Sequence, residues 1–141
     1  MDKKPLYIAL LALLGGVYSG TLAYTKLTTG ICAFGAACPF LFGFPVCVYG
    51  FAGFVVVFLL SVMAYVQPEY KGKNMNFVYW LSLIGVFFAL YYLIQEVFLL
   101  PDPPAGRTIS LGYPSCLYGL IAYSLIFTIA RSITIPKDTE K

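Results

Sequence analysis

Four long apolar stretches, separated by short polar segments, dominate the pattern of the chain. They cover residues 6–24, 44–66, 77–100 and 113–133. Each is about as long as one crossing of a bilayer, which takes roughly 20 residues in a helix. The pattern therefore predicts an all-α membrane protein, a single domain over residues 1–141 built as a four-transmembrane-helix bundle.

The first stretch follows Lys3 and Lys4 and has two interpretations. Basic residues before an apolar run are also typical of a cleaved signal peptide. Because the sequence begins at Met1, we expect a retained first helix instead. Small residues recur every four positions within it, at Ala12, Gly16 and Gly20. Such a stripe favours the close approach of another helix, which makes it a packing feature.

Composition narrows the function classes further. The chain is 60% hydrophobic and 11% charged, which is more apolar than a soluble domain of this size needs. Its net charge of +3 is small and scattered, so we expect no nucleic-acid partner. Histidine is absent, which excludes histidine bases, histidine haem ligands and most zinc sites.

The basic residues predict an orientation in the membrane. Lys26 and Arg107 lie on one side, and the seven others lie on the opposite side: Lys3, Lys4, Lys71, Lys73, Arg131, Lys137 and Lys141. Basic residues favour the cytoplasmic side of a membrane, so we expect both termini in the cytoplasm. We expect the membrane to be the plasma membrane. All four cysteines then lie at or near the extracytoplasmic face, where disulfides form.

An octet occurs twice, at residues 43–50 and 112–119, and shares Gly, Pro, Cys, Tyr and Gly. Each copy opens an apolar stretch, and Pro suits the first position of a helix. Cys47 and Cys116 are then expected in the first turn of a helix, where the dipole favours a thiolate. The alternative is a tight helix entry in which each cysteine packs as a small hydrophobe.

Because both octets start a returning helix, they indicate a hairpin duplicated about an axis along the membrane normal. Cys47 and Cys116 would then lie at equal depth. We expect their Cα atoms within the bridging range of about 4.4–6.8 Å.

Other polar residues have two interpretations each. Gln95 and Glu96 lie near the outer end of the third stretch, where a carboxylate is either functional or simply reaches the interface. The second interpretation is favoured. Tyr49 and Tyr118 follow the octet cysteines and either donate to a carbonyl of a ligand or are ordinary interfacial tyrosines, the commoner case.

Four cysteines allow three full pairings. Cys32 and Cys38 lie in a loop predicted over residues 25–43, and Cys47 and Cys116 start helices. Thiol–disulfide exchange through a mixed disulfide moves electrons from one such pair to another. Two static bridges are the alternative. A four-thiolate iron–sulfur or metal site is disfavoured by the irregular spacing and the apolar surroundings.

In these features the sequence resembles the vitamin K epoxide reductase family and is similar in plan to the DsbB-type thiol oxidases. The resemblance covers about residues 25–133 and rests on Cys32 and Cys38, Phe42-Gly43-Phe44-Pro45, Gly50-Phe51-Ala52-Gly53-Phe54, Ala89-Leu90-Tyr91-Tyr92-Leu93 and Cys116-Leu117-Tyr118. It implies a four-helix bundle with a quinone near its outer face. It also implies loop cysteines that accept electrons from a thioredoxin-like partner and a last-helix Cys-x-x-Cys pair that passes them to the quinone.

The chain departs from that family in its last helix. The motif reads Cys116-x-x-Gly119, so its second cysteine is missing, and Val46 stands where bacterial members carry a polar residue. Cys47 is extra, and the repeat places it level with Cys116. We infer that Cys47 substitutes for the missing partner across the bundle.

Two functions follow. The first is a quinone-linked thiol–disulfide oxidoreductase that relays electrons from Cys32 and Cys38 through Cys47 and Cys116 to a quinone of the ubiquinone or menaquinone type. The second is a non-catalytic four-span subunit or scaffold of a membrane complex with structural disulfides. A ring-sized apolar cavity beside Cys47 and Cys116 favours the first, and a packed core favours the second.

Overall fold

A computed structural model describes residues 3–29, 40–95 and 115–135 and contains four long helices. They are α1 (Lys4–Thr29), α2 (Val46–Val66), α3 (Lys71–Ile94) and α4 (Ser115–Thr134). Each helix is long and apolar enough to cross a membrane. The predicted all-α bundle of four membrane helices is therefore confirmed.

Two helices extend beyond the apolar stretches that predicted them. Residues 25–29, expected in the first loop, continue α1, and hydroxyls in this last part donate to carbonyls four residues earlier, as Thr25 does to Thr21 and Thr29 to Thr25. A 3₁₀ turn over Pro68–Tyr70 leads directly into α3 at Lys71, ahead of the apolar stretch. Hydropathy identifies the part of a helix that can lie in lipid. It does not identify the polar turns that extend the same helix beyond the lipid.

A short hairpin precedes α2. Strand β1 (Phe40–Leu41) pairs antiparallel with β2 (Phe44–Pro45) through a two-residue turn. Phe42 (φ 53°) and Gly43 (φ 86°) both have positive φ, as turns of the I′ type require. The opening glycine of the first octet thus serves the turn. Pro45 ends β2 directly before the helix, and not at its first position as the sequence predicted.

The small residues of α1 face α2. Ala12 and Gly16 are buried, and a Cβ added at Gly16 would lie 3.5 Å from that of Phe54. A Cβ added at Gly20 would lie 2.9 Å from the Phe51 ring, closer than real contacts allow. This is the close approach that the stripe predicted. The core common to the helices comprises Ile8, Ala12, Phe54, Val57, Ala64, Met75, Val78, Tyr123, Ile126 and Ala130.

The orientation of the bundle in the membrane stays a prediction and has a direct test. Glu69 and Thr28 are both exposed, at opposite ends of the bundle, in the turn before α3 and in the last turn of α1. In intact cells we expect a membrane-impermeant maleimide to add label to a Thr28→Cys variant and not to a Glu69→Cys variant, relative to wild type. After lysis both should gain label. The reverse pattern in intact cells would contradict cytoplasmic termini.

Candidate functional site

An apolar cavity of about 340 Å³ lies between the helices. All four helices contribute to its wall: Leu11, Leu14, Gly15, Tyr18, Ser19 and Leu22 from α1; Val46, Cys47, Gly50 and Phe54 from α2; Phe88, Ala89 and Tyr92 from α3; and Tyr118, Gly119, Ile121, Ala122, Tyr123 and Leu125 from α4. Nearly all of the side chains in this wall are aliphatic or aromatic.

The cavity lies toward one end of the bundle, here called the Cys47 end, where α1 ends and α2 and α4 begin. Cys47 is the second residue of α2, and Phe54 lies two turns further along the same helix. At 1.5 Å per residue, the cavity reaches about 10 Å along α2 from the level of Cys47. If the predicted orientation holds, this is the extracytoplasmic half of the bundle.

The two octets meet at this cavity. The first contributes Val46, Cys47 and Gly50, and the second contributes Tyr118 and Gly119. A Cβ added at either closing glycine would have no neighbouring atom within 4 Å. The closing glycines therefore leave space beside the cavity wall. The sequence showed that these glycines recur but gave them no role.

The four predicted cysteines differ in what the structure describes. Cys47 is half-buried in the first turn of α2 and lines the cavity, as predicted for a residue that starts this helix. Cys116 is the second residue of α4, an equivalent backbone position, but its side chain lies outside the described residues. Cys32 and Cys38 also lie outside them. The pairing of Cys47 with Cys116 and the relay from the loop thus stay predictions.

The two octet tyrosines have different surroundings. Tyr118 lines the cavity, and its ring centroid lies 5.4 Å from that of Tyr18 on α1. Tyr49 lies outside this cavity; its hydroxyl donates to the Leu41 carbonyl at 2.9 Å and so fastens the hairpin to α2. Of the pair, the geometry brings Tyr118 to the candidate site.

The polar pair near the end of α3 is described only in part. The backbone N–H of Gln95 donates to the carbonyls of Tyr91 and Tyr92 and caps the helix. Glu96 lies outside the described residues, so its predicted place near the interface stays a prediction.

Tyr123 is a site residue that sequence reasoning missed. It is 6% exposed, its hydroxyl donates to the Gly50 carbonyl at 3.2 Å, and its ring stacks on Phe54 with centroids 4.5 Å apart. It also lies against Gly53 and Gly85, where a Cβ would collide with it. Tyr123 lines both the main cavity and a second one of about 160 Å³ between α2 and α3, as Gly50 and Phe88 also do. Its only sequence signal is its place one helical turn after Gly119.

The fold and the site define an integral, multi-pass membrane protein with a lipid-compatible cavity that has a cysteine in its wall. No model of a known protein family matches the chain, and a search of curated proteins finds no match.

Proposed function

We propose that the protein is a quinone-linked thiol–disulfide oxidoreductase acting at the extracytoplasmic face of the plasma membrane. The observation that carries the proposal is the position of Cys47 in the wall of an apolar cavity between four membrane helices. A structural disulfide needs no such cavity, because the two bonded sulfur atoms themselves fill the space between the cysteines that they join.

The residues that surround the cavity fit a quinone ring. Its volume of about 340 Å³ lies within the range of ligand pockets, roughly 300–1,000 Å³. Phe54, Phe88 and Tyr118 place aromatic side chains in the wall, and aromatic side chains pack well against a planar ring. The space beside Gly50 and Gly119 is where a Cβ would otherwise intrude. The Tyr118 hydroxyl is the side-chain group we assign to a carbonyl of the ring.

The chemistry assigned to the chain is the oxidation of two thiols. Forming an Sγ–Sγ bond between Cys47 and Cys116 releases two electrons and two protons. A quinone held by the residues of the cavity wall would supply the acceptor for both electrons and both protons. Both cysteines are second residues of their helices, where the unpaired N–H groups and the dipole favour the reactive thiolate. Cys32 and Cys38 would return electrons to this pair by disulfide exchange with a thioredoxin-like partner.

The test uses purified full-length protein in nanodiscs. With a membrane-permeant dithiol as donor, we expect one ubiquinone or menaquinone analogue to be reduced for each dithiol oxidised. Protein without donor and donor without protein are the controls. If no quinone is reduced with any dithiol or thioredoxin-like donor, the function fails, and the non-catalytic subunit or scaffold becomes the better interpretation.

The octet glycines offer a test of the cavity itself. Gly50→Ala and Gly119→Ala each place a methyl group at the cavity wall without a clash, so stability should be kept or rise by up to about 1 kcal/mol. Quinone affinity should fall about tenfold, as expected when a ligand must yield to an added methyl group. Gly72→Ala is the matched control, since Gly72 also has no atom within 4 Å but lies outside the cavity. Unchanged affinity in both octet variants would contradict this location of the quinone.

A further inference from the structure

We propose that Ser19 makes the cavity selective for the reduced, dihydroxy form of a quinone ring over the oxidised dione, by accepting a hydrogen bond from a ring hydroxyl. Ser19 is thereby assigned as a specificity-determining residue on α1. The inference rests on the proposed function for the identity of the ring. It adds which of the two redox forms of the ring the cavity holds more tightly.

The hydroxyl proton of Ser19 is already used within its own helix. Ser19 is 8% exposed and lines the cavity from α1. Its hydroxyl donates to the Gly15 carbonyl at 2.8 Å, and the Gly16 carbonyl oxygen lies 3.4 Å from the same Oγ. Two oxygen atoms as close as the first pair need a proton between them. A ligand that drew this proton away would leave the two oxygens facing each other without it.

The Oγ atom of Ser19 can therefore only accept a hydrogen bond from a ligand, because a serine hydroxyl has a single proton and two lone pairs. A ring hydroxyl has a proton to donate. A ring carbonyl has none and would turn its lone pairs toward those of Oγ. The Tyr123 hydroxyl in the same wall is limited in the same way, since its proton goes to the Gly50 carbonyl. At Ser19 the wall thus favours a ligand that donates.

The position of Ser19 along the bundle suits a ring that lies beside Cys47. Its neighbour Gly20 packs against the ring of Phe51, which follows Cys47 by four residues on α2. Ser19 therefore lies about one helical turn deeper in the bundle than Cys47. The preceding residue of α1 contacts the ring of Tyr118, so Ser19 and Tyr118 lie at a similar depth on α1 and α4.

Other hydroxyls of α1 show that the bond is ordinary and that its place in the cavity wall matters. Thr21 and Thr25 also donate to carbonyls four residues earlier, both at 2.8 Å. Neither lines the cavity. At such positions the bond satisfies the hydroxyl proton and nothing more. At Ser19 the same bond decides which group of a ligand can approach.

Selective binding of the dihydroxy form has a consequence for thiol oxidation. A ring whose reduced form is bound tenfold more tightly than its oxidised form has a two-electron potential about 30 mV higher than the same ring in lipid. The ring held by the cavity wall is then the stronger oxidant, which favours electron transfer from the cysteines. The same preference delays release of the reduced ring.

Equilibrium binding of the two forms of one ring tests the selectivity. The full-length protein in nanodiscs is first oxidised and then kept free of oxygen and of thiol donors, so that neither form turns over. The probes are a short-chain ubiquinone analogue and its dihydroxy form. We expect wild type to bind the dihydroxy form about tenfold more tightly, as one added hydrogen bond allows. Ser19→Ala should bind the dihydroxy form about tenfold more weakly and the dione no more weakly than wild type.

Thr21→Val is the matched control. It removes a hydroxyl that makes the same bond, to the Val17 carbonyl, from an exposed position on α1 outside the cavity wall. It should bind both forms as wild type does. Equal affinities of the two forms in wild type, or equal losses of both in Ser19→Ala, would overturn the inference. Thiol-dependent quinone reduction in such a protein would still support the proposed function. A preference that Ser19→Ala abolishes, in a protein that oxidises no thiol, would keep the inference and refute that function.

Discussion

Replacing Cys47 by Ser is expected to abolish electron transfer from every thiol donor to quinone. The side chain of Cys47 lies in the cavity wall, and serine cannot form the disulfide that releases two electrons. Quinone reduction is measured spectrophotometrically, once with a membrane-permeant dithiol and once with a thioredoxin-like protein as donor. Activity should fall to the background of protein-free nanodiscs in both assays.

Cys32→Ser is the control that distinguishes loss of the electron relay from misfolding of the protein. It should block the protein donor and leave the small dithiol largely effective, because the dithiol reaches Cys47 and Cys116 without the loop. Disulfide mapping with and without reductant tests the expected pairing in the same samples. Static bridges predict a different pattern, in which each cysteine variant loses about 2–5 kcal/mol of stability and wild type reduces no quinone. That pattern would contradict the relay.

Replacing Tyr123 by Ala is expected to lower the free energy of unfolding by about 3–5 kcal/mol, as for large aromatic residues removed from a packed core. Tyr123 is buried, stacks on Phe54 and fills the space left by Gly53 and Gly85. Removing its ring leaves a void where α2, α3 and α4 meet. The free energy is measured by reversible unfolding in mixed detergent micelles, followed by the fluorescence of Trp80.

Two further variants show which property of Tyr123 matters. One removes only its hydrogen bond, and the other removes a tyrosine from a different place in the fold. Tyr123→Phe keeps the ring and loses only the hydrogen bond to Gly50, so it should cost about 0.5–1.5 kcal/mol. Tyr65→Ala removes a tyrosine that is 45% exposed and lies outside the core, and it should have little effect. Equal destabilisation by Tyr123→Ala and Tyr65→Ala would show that Tyr123 does not hold the helices together.

The helix ends show where sequence reasoning stops. Thr25 and Thr29 are polar and followed the predicted end of the first span, yet they belong to α1. Their hydroxyls bond to the carbonyls of the preceding turn, so these polar residues do not interrupt the helix. Residues 71–76 are also helical although they are mostly polar. The 3₁₀ turn over Pro68–Tyr70 leads directly into them, so the backbone is already helical where α3 begins. Neither effect changes the hydropathy of the chain.

By itself the sequence determined the number of helices, the small-residue face of α1 and the place of Cys47 in the first turn of α2. These properties are local, because they depend on the length of an apolar run, the spacing of small residues and the residues at a helix start. Only the tertiary structure decided that Cys47, Tyr118 and the two closing glycines share one cavity, and that Tyr123 lines both this cavity and its neighbour. Their meeting depends on the rotation and axial offset of α2 against α4, which the packing of Tyr123 against Gly53 and Phe54 sets.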